Sequence, residues 1–213
     1  MLELYDYELS GNCYKIRLML SFLNLNYTSK KVEFYPSKEH KSESFLELNP
    51  LGQLPVIFDQ SVVLRDAQAI LVYLAAKYDK SKNWYPIDDP DKLGFISQWL
   101  AFGDSITGSS SAARLHDTLF YGNFDIVKCR ETAHSQFRIL DEHLFFQEEL
   151  GNKWICNGSH ASIADIACFP YVALSEEGGI SRMSYPAIRR WMDRFKHIKG
   201  FVVMPGVFPA GPL

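Results

Sequence analysis

The chain is poor in the residues that staple small proteins together or bind metals and nucleic acids. Its 213 residues include four cysteines, with no CxxC pair and no Cys/His cluster, so we expect reduced thiols, no disulfide framework and no metal site. The net charge is −3 and lysine and arginine form no stripe, which argues against a nucleic-acid partner. With 47% hydrophobic residues, the chain can form a packed core without such staples.

Long apolar segments are also missing. No uninterrupted apolar run approaches the ~18 residues of a membrane-spanning helix. The opening sequence MLELYDYEL carries three acids and no base, which does not fit a secretory signal. We therefore expect a cytoplasmic protein that has no membrane partner.

The first eighty residues alternate short β-like runs with helical periods. Strands are predicted at 2–5, 27–34, 55–58 and 62–64, and helices at about 12–24, at 45–48 and from Asp66 onward. The short connection at 59–61 predicts a hairpin. This order, βαβαββα, predicts a thioredoxin-like domain over residues 1–79.

The rest of the chain has helical periodicity throughout. A proline-containing, charge-rich stretch predicts a linker at 80–88, followed by an all-helical domain at 89–213. Helices are predicted at about 92–115, at 126–150, from Ser162 and from near Pro186. Ser162 and Asp165 fit a capping box, and the tail at 204–213 is too rich in proline and glycine for regular structure. The predicted fold class is therefore α/β followed by all-α.

Two polar residues lie where the first predicted strand runs into a helix, in the sequence ELSGNCYK. Ser10 and Asn12 lie beside backbone amides that carry partial positive charge, which favours an anion. A thiol bound there could fall from pKa ~8.5 by ~2 units, equivalent to ~2.7 kcal/mol in favour of the thiolate. The alternative is a plain helix cap, and the two roles can coexist.

Pro55 opens a strand after a turn that contains glycine. A cis peptide bond, which costs about 0.5–1 kcal/mol before proline, would turn the Leu54 backbone outward to pair with a peptide-like ligand. A trans bond is an equally open interpretation of this sequence.

The start of the next helix offers a second anion site. The amides of Ala67 and Gln68 can receive a carboxylate, while Asp66 can accept hydrogen bonds from an ammonium group. An α-amino acid end would satisfy both, although Asp66 could also be a plain N-cap. A site for a thiol, an exposed backbone segment that can pair with a peptide, and a site for an α-amino acid end together match the chemistry of glutathione.

Four motifs carry a resemblance to a known family: SGNCYKIR at 10–17, NPLGQLPV at 49–56, RDAQAI at 65–70 and SIAD at 162–165. In this order and spacing the chain resembles the cytosolic glutathione S-transferases over essentially its whole length, with bacterial, theta-, beta- and nu-like features. The resemblance implies glutathione as co-substrate and a detoxifying transferase. It also implies a helical domain that supplies the electrophile pocket, and a homodimer.

The resemblance also implies roles for individual residues. Ser10 corresponds to the activating serine of theta- and delta-like classes, and Asn12 to a neighbour used in the nu-like class. The expected glutathione-binding residues are Lys41, Gln53, Leu54, Pro55, Asp66 and Ala67. The expected electrophile-pocket residues are Tyr7, Leu9, Phe102 and Ile106. The chain departs from many relatives in having Asp-Ala where they have Glu-Ser, so a hydroxyl is lost at Ala67 and moderate glutathione affinity is expected.

Other functions remain open from the sequence. A glutathione-dependent disulfide or peroxide reductase would use Asn12 and the backbone to steady the thiolate, whereas a dithiol cycle is disfavoured because Ser10 replaces the first cysteine of a CxxC. A maleylacetoacetate isomerase is disfavoured because Ser-Gly-Asn replaces its Ser-Ser-Cys signature. A transferase-like module that binds ligands or proteins without catalysis is the non-enzymatic alternative.

Overall fold

The computed structural model describes residues 2–211, and its first part is a four-stranded mixed sheet. The strands are β1 (Leu2–Asp6), β2 (Thr28–Lys31), β3 (Val56–Asp59) and β4 (Val62–Arg65). They lie in the order β2-β1-β3-β4, with β1 parallel to β2 and the other pairs antiparallel. The hairpin predicted between the last two strands is confirmed.

Because successive side chains along a strand point to opposite faces, the sheet has two apolar faces. Leu4 and Ile57 belong to the large core that also contains α1 (Gly11–Phe22) and α3 (Ala67–Tyr78). Val56, one residue along β3, packs instead with Val32 and with Phe45 of α2 (Glu43–Leu48). The sheet is thus covered on both faces, as expected for the thioredoxin-like arrangement. We call the elements from β1 to α3 the sheet half.

The elements after α3 are helical, and we call them the helical half. They are α4 (Pro90–Ile106), a π-helical turn (Thr107–Ser111), α5 (Ala112–Leu119), α6 (Ile126–Glu149), α7 (Ile163–Ala173), a 3-10 turn (Ser175–Gly178) and α8 (Pro186–Lys196). The helical span predicted at about 92–115 is confirmed; it contains the π turn and continues to Leu119. Within residues 2–211, no helix is both long and apolar enough to cross a membrane.

Helix α7 is the central element of the helical half, and all of its residues are buried. The predicted capping box at its start is confirmed: the Ser162 hydroxyl accepts a hydrogen bond from the Ala164 amide, and the Ser162 amide donates to Asp165. Asp165 also accepts hydrogen bonds from Trp191 Nε1 and the Ile155 amide. A fully buried carboxylate therefore ties α7 to α8 and to the preceding loop.

The two halves meet where α1 and α3 pack against α7. A Cβ atom at Gly11 would lie 2.7 Å from Cζ of Tyr171, so only glycine permits this close approach. Ser21 also donates a hydrogen bond to the Gly200 carbonyl at 2.7 Å. The predicted linker lies between α3 and α4, and its bounds at 80–88, with domains at 1–79 and 89–213, stay predictions.

Candidate active site

A cavity of about 320 Å³ lies between the two halves. The predicted site residues that line it are Tyr7, Leu9, Ser10, Asn12, Gln53, Leu54, Pro55, Asp66 and Ala67. They come from three separate segments of the sheet half: the loop before α1, the turn before β3 and the start of α3. The sheet therefore brings together the three features that the sequence offered as parts of one site.

Three other predicted residues are not among the cavity-lining residues. Lys41 donates a hydrogen bond to the Leu51 carbonyl at 3.0 Å. Ile106 is fully buried, and Phe102 packs edge-on against Trp99. Phe102 and Ile106 are four residues apart and share a helix face, which points into the core of the helical half rather than into the cavity.

Ser10 is the N-cap of α1 and has extended backbone angles, φ −79° and ψ 120°. Its hydroxyl oxygen accepts a hydrogen bond from the Cys13 amide at 3.2 Å. The Cys13 sulfur also lies within hydrogen-bond reach of this hydroxyl; because Ser10 lines the cavity, the hydroxyl can turn its proton toward a bound group instead. The same side chain can thus cap the helix and donate to a ligand.

Two arginines hold the loop before Ser10 through its carbonyl groups. Arg17, which pairs with Asp6, donates to the Glu8 carbonyl at 2.9 Å. Arg114 of α5 donates to the Leu9 carbonyl at 2.6 Å. The position of Ser10 is therefore fixed by one arginine from each half.

Asn12 and Cys13, which follow Ser10 closely, differ in their exposure to the cavity. Asn12 lines the cavity, and its buried Oδ1 atom has no hydrogen-bond partner within residues 2–211. The Cys13 thiol is fully buried, and desolvation, followed by the charge of Asp6, raises its pKa to about 12. Cys13 therefore stays a thiol at neutral pH, whereas Asn12 contributes to the cavity wall while its Oδ1 atom is shielded.

The turn before β3 presents free backbone to the cavity. The Leu54–Pro55 peptide bond is cis, which decides between the two isomers left open by the sequence. Gln53 accepts a hydrogen bond from Asn49 Nδ2 at 2.8 Å, whereas neither backbone group of Leu54 has a partner in the described part of the chain. Gly52 has φ +56°, and a Cβ there would lie 2.7 Å from the His40 carbonyl oxygen.

The start of α3 combines a carboxylate with open amides. Asp66 has φ +73°, and its Oδ1 accepts a hydrogen bond from the Ala69 amide at 2.9 Å. The predicted N-cap is therefore confirmed. The amides of Ala67 and Gln68 belong to the first helical turn, where no intrahelical acceptor exists. Gln68 also donates to Asp104 of α4 at 3.4 Å.

An aromatic cluster beside the cavity was not predicted. Phe34 lines the cavity and stacks on His40, with ring centroids 4.1 Å apart. The His40 ring is buried, and neither nitrogen has a hydrogen-bond partner among the described residues. Burial, together with the charges of Lys41 and Lys38, lowers the pKa of His40, so the ring is neutral at pH 7.

The helical half supplies the opposite wall, which sequence reasoning missed. Its lining residues are Asp104, Thr107, Gly108, Ser111, Arg114, Leu115, Leu119 and Tyr171. Three of them, Thr107, Gly108 and Ser111, belong to the π turn, and such turns are frequent at functional sites. A π turn adds a residue to the helix, so the face predicted from a continuous helix is not the one that meets the cavity.

A buried lysine supports this wall from beneath. Lys15 of α1 is fully buried and donates to Thr107 Oγ1 at 3.1 Å. Its ammonium also lies 5.5 Å from the centroid of the Tyr171 ring. Desolvation lowers the pKa of Lys15 to about 8, so most of it is charged at pH 7 and adds a positive charge near the start of α1.

Comparisons with known proteins agree with this fold. The family model described as "Glutathione S-transferase, N-terminal domain" matches residues 9–77. Glutathione S-transferase theta-1 of Mus musculus is 28% identical over 204 residues, covering 94% of this chain and 84% of that protein. Glutathione S-transferase D7 of Drosophila melanogaster is 27% identical over 192 residues, covering 90% and 82%.

Among solved structures, the glutathione S-transferase from Pseudomonas fluorescens Pf-5 superposes with a TM-score of 0.84 at 30% identity, covering 95% of this chain and 98% of that one. The fold and these similarities thus define an enzyme of the glutathione transferase class. The chain belongs to the glutathione S-transferase family.

Proposed function

We propose that the protein ionises the thiol of glutathione beside Ser10 and directs the thiolate at an electrophile with an apolar body. The observation that carries this proposal is the Ser10 hydroxyl. Its oxygen accepts a hydrogen bond from the Cys13 amide, its proton can turn from the neighbouring Cys13 sulfur to a bound thiolate, and it lines the same cavity as Leu54 and Asp66.

Ser10 would stabilise the thiolate as a hydrogen-bond donor. The thiol proton passes to solvent, and the sulfur then accepts a hydrogen bond from the Ser10 hydroxyl. The N-terminal end of α1 and the buried ammonium of Lys15 both add positive potential. In the reaction the sulfur forms a bond to the electrophilic carbon, and the leaving group departs with its electron pair.

The backbone of Leu54 would pair with the middle of the tripeptide. Its amide and carbonyl are unpaired within residues 2–211 and border the cavity, so an extended peptide can bind there as an added strand. This contact uses main-chain atoms, and it therefore orients glutathione without depending on a particular side chain.

The start of α3 would hold the γ-glutamyl end. Asp66 is an acceptor for the ammonium group, and the open amides of Ala67 and Gln68 are donors for the carboxylate. Because position 67 carries no hydroxyl, one hydrogen bond, worth about 1 ± 0.5 kcal/mol, is missing compared with Glu-Ser relatives. We expect moderate glutathione affinity for this reason.

The glycine end would lie toward the turn that contains His40 and Lys41. The His40 ring is buried without hydrogen-bond partners in the described chain, and the Lys41 ammonium is exposed and bonded to the Leu51 carbonyl. A carboxylate can draw the flexible lysine side chain away from a carbonyl acceptor, since charge-assisted hydrogen bonds are the stronger ones.

Reduction of disulfides or peroxides by glutathione is the second candidate. It is favoured by the position of Asn12 in the cavity lining, because the N–H groups of a side-chain amide can donate a hydrogen bond to a thiolate. The buried Cys13 cannot serve as a resolving thiol at neutral pH, so both thiols of such a reaction would come from glutathione.

Thiolate absorbance tests the proposal directly. Ultraviolet spectra of glutathione with wild type, Ser10→Ala and Asn12→Ala are recorded from about pH 5 to about pH 9, across the range in which a thiol of lowered pKa titrates. We expect ionised thiol near pH 7 in the wild type and its loss in Ser10→Ala. Loss in Asn12→Ala alone would favour the reductase, and absence of glutathione binding would favour a non-catalytic module.

We also infer a homodimer, as the family resemblance implies. Large apolar side chains are exposed on both halves: Leu51, Val63 and Phe95 are 57%, 47% and 59% exposed. Sedimentation equilibrium should give twice the chain mass, and the chain mass alone would contradict the inference.

A further inference from the structure

Arg114 reaches the cavity with a guanidinium group that is only partly engaged. Its side chain is 9% exposed, and its Nε pairs with Glu177 of the 3-10 turn. Its Nη1 donates to the Leu9 carbonyl at 2.6 Å. Nη2 has no acceptor within residues 2–211, and it is not among the fully buried polar atoms that lack a partner. Because Arg114 lines the cavity, Nη2 is available to a molecule bound there.

The neighbours of Arg114 make this part of the cavity polar. Ser111, one turn earlier, lines the cavity, and its side chain contacts the Tyr171 hydroxyl. Burial raises the pKa of both Tyr7 and Tyr171, and the positive charge of the nearby Arg114 partly opposes that rise. Donors and positive potential therefore converge on one end of the cavity.

The remaining lining divides between the two substrates. Asp66 lies at the start of α3, and Asp104 is bonded to Gln68 there. The proposed function assigns the glutathione ammonium to this end of the cavity. Leu115 and Leu119 continue along α5 from Arg114 and line the cavity as an apolar wall. A second substrate would therefore meet an apolar surface that ends in a guanidinium nitrogen and a hydroxyl.

We propose that the electrophile taken by this cavity carries a carboxylate on its apolar body, and that Arg114 Nη2 binds this carboxylate with Ser111 beside it. Arginine suits this role because its nitrogens are permanently charged, and charge-assisted hydrogen bonds to carboxylates are the strong ones. The inference rests on the proposed function, since it assigns the second substrate of the same site.

A matched pair of electrophiles isolates the carboxylate. 4-Chloro-3-nitrobenzoate and 4-chloro-3-nitrobenzamide have the same ring and leaving group; in both, the thiolate sulfur bonds to the ring carbon and chloride leaves with the electron pair. The measured quantity is the ratio of kcat/KM for benzoate over benzamide, divided by the same ratio for the uncatalysed reaction. We expect about ten or more for the wild type, which corresponds to at least one charge-assisted hydrogen bond.

Two arginine variants then locate the effect. In Arg114→Met the corrected ratio should fall to about one. Arg130 is the matched control: it pairs with Asp117 and donates to the Gly178 carbonyl but does not line the cavity, so Arg130→Met should keep the wild-type ratio. An unchanged ratio in Arg114→Met would overturn the inference and leave Arg114 as a residue that only holds the loop before Ser10.

A binding measurement separates this inference from the proposed function. Dissociation constants for 4-nitrobenzoate and 4-nitrobenzamide are measured by calorimetry without glutathione. Preference for the benzoate that disappears in Arg114→Met supports the inference even if glutathione is not ionised. Equal binding of both probes by the wild type contradicts it even if glutathione is ionised.

One variant leaves Arg114 in place and covers the case in which Arg114→Met does not fold. Glu177→Gln removes the carboxylate that now pairs with Nε, so the guanidinium should bind 4-nitrobenzoate more tightly, by about threefold or more. Unchanged or weaker binding in Glu177→Gln would contradict a recognition role for Arg114.

Discussion

The two halves of the molecule build their walls of the cavity by different means. The sheet half uses groups that local backbone geometry presents: the Ser10 hydroxyl at a helix start, the Leu54 backbone in a turn and the Asp66 carboxylate at a second helix start. The helical half uses side chains from α4, α5, α7 and the π turn. A site made of main-chain geometry is encoded by short local motifs, whereas a site made of converging side chains is encoded only by the packing of distant segments.

The largest expected effect tests the sheet half at Ser10. Ser10→Ala removes the proposed donor to the sulfur and should lower kcat/KM with 1-chloro-2,4-dinitrobenzene by about 10²–10³, as loss of one anion-stabilising donor does in other enzymes. Asp125→Ala is the control, because Asp125 caps α6 through the Lys128 amide and does not line the cavity. Retention of most activity in Ser10→Ala would assign thiolate stabilisation elsewhere.

The next effect contrasts a buried aspartate in each half. Burial raises the pKa of Asp59, but hydrogen bonds from Lys77, Tyr78 and Tyr73 outweigh it and leave the pKa below its ordinary value. Burial dominates at Asp165, and its pKa is raised despite four hydrogen bonds. Asp59 therefore contributes stability above the unfolded pKa of about 3.9, and this contribution is lost as the pH falls through the folded pKa.

Asp59→Asn should accordingly cost about 2 kcal/mol of unfolding free energy at pH ~7. The cost should shrink at about pH 3, below the unfolded pKa, because the unfolded state then takes up the proton and the stabilisation by the charge declines. Urea unfolding at the two pH values measures both numbers. An equal loss at both would mean that packing, not charge, joins β3 to α3. Asp165→Asn should not show this shrinkage, because the raised pKa of Asp165 has the opposite sign.

Asp66→Asn separates the role of Asp66 as a helix cap in the sheet half from its proposed contact with glutathione. Asparagine also caps helices well, so the fold should be kept while the negative charge facing the ammonium is lost. We expect the KM for glutathione to rise about tenfold with little change in kcat. Asp89→Asn, at the cap of α4, should leave KM unchanged; an equal KM in Asp66→Asn and wild type would remove Asp66 from the site.

The smallest effect is a gain. Ala67→Ser restores the hydroxyl that many relatives carry, and it should tighten glutathione binding about fivefold, equivalent to roughly 1 kcal/mol. Calorimetric titration with glutathione measures it. No gain would indicate that the Ala67 and Gln68 amides already satisfy the carboxylate.

The same contrast explains what could be predicted from the sequence. The caps at Ser10, Asp66 and Ser162 follow from local hydrogen-bonding rules and agree with the structure. The π turn could not be predicted, because Thr107–Ser111 has no proline and continues the helical pattern. With the turn missed, Ser111 and Arg114 were missed. Phe102 and Ile106 precede the turn, and their place in the core of the helical half is decided by how α4 packs on distant helices.

The most direct test of the account is a crystal structure of the protein with glutathione bound. We predict that the sulfur accepts a hydrogen bond from Ser10 Oγ, that the Leu54 backbone pairs with the tripeptide and that the γ-glutamyl ammonium contacts Asp66. Glutathione bound with Ser10 and Asp66 both turned away from it would contradict the account.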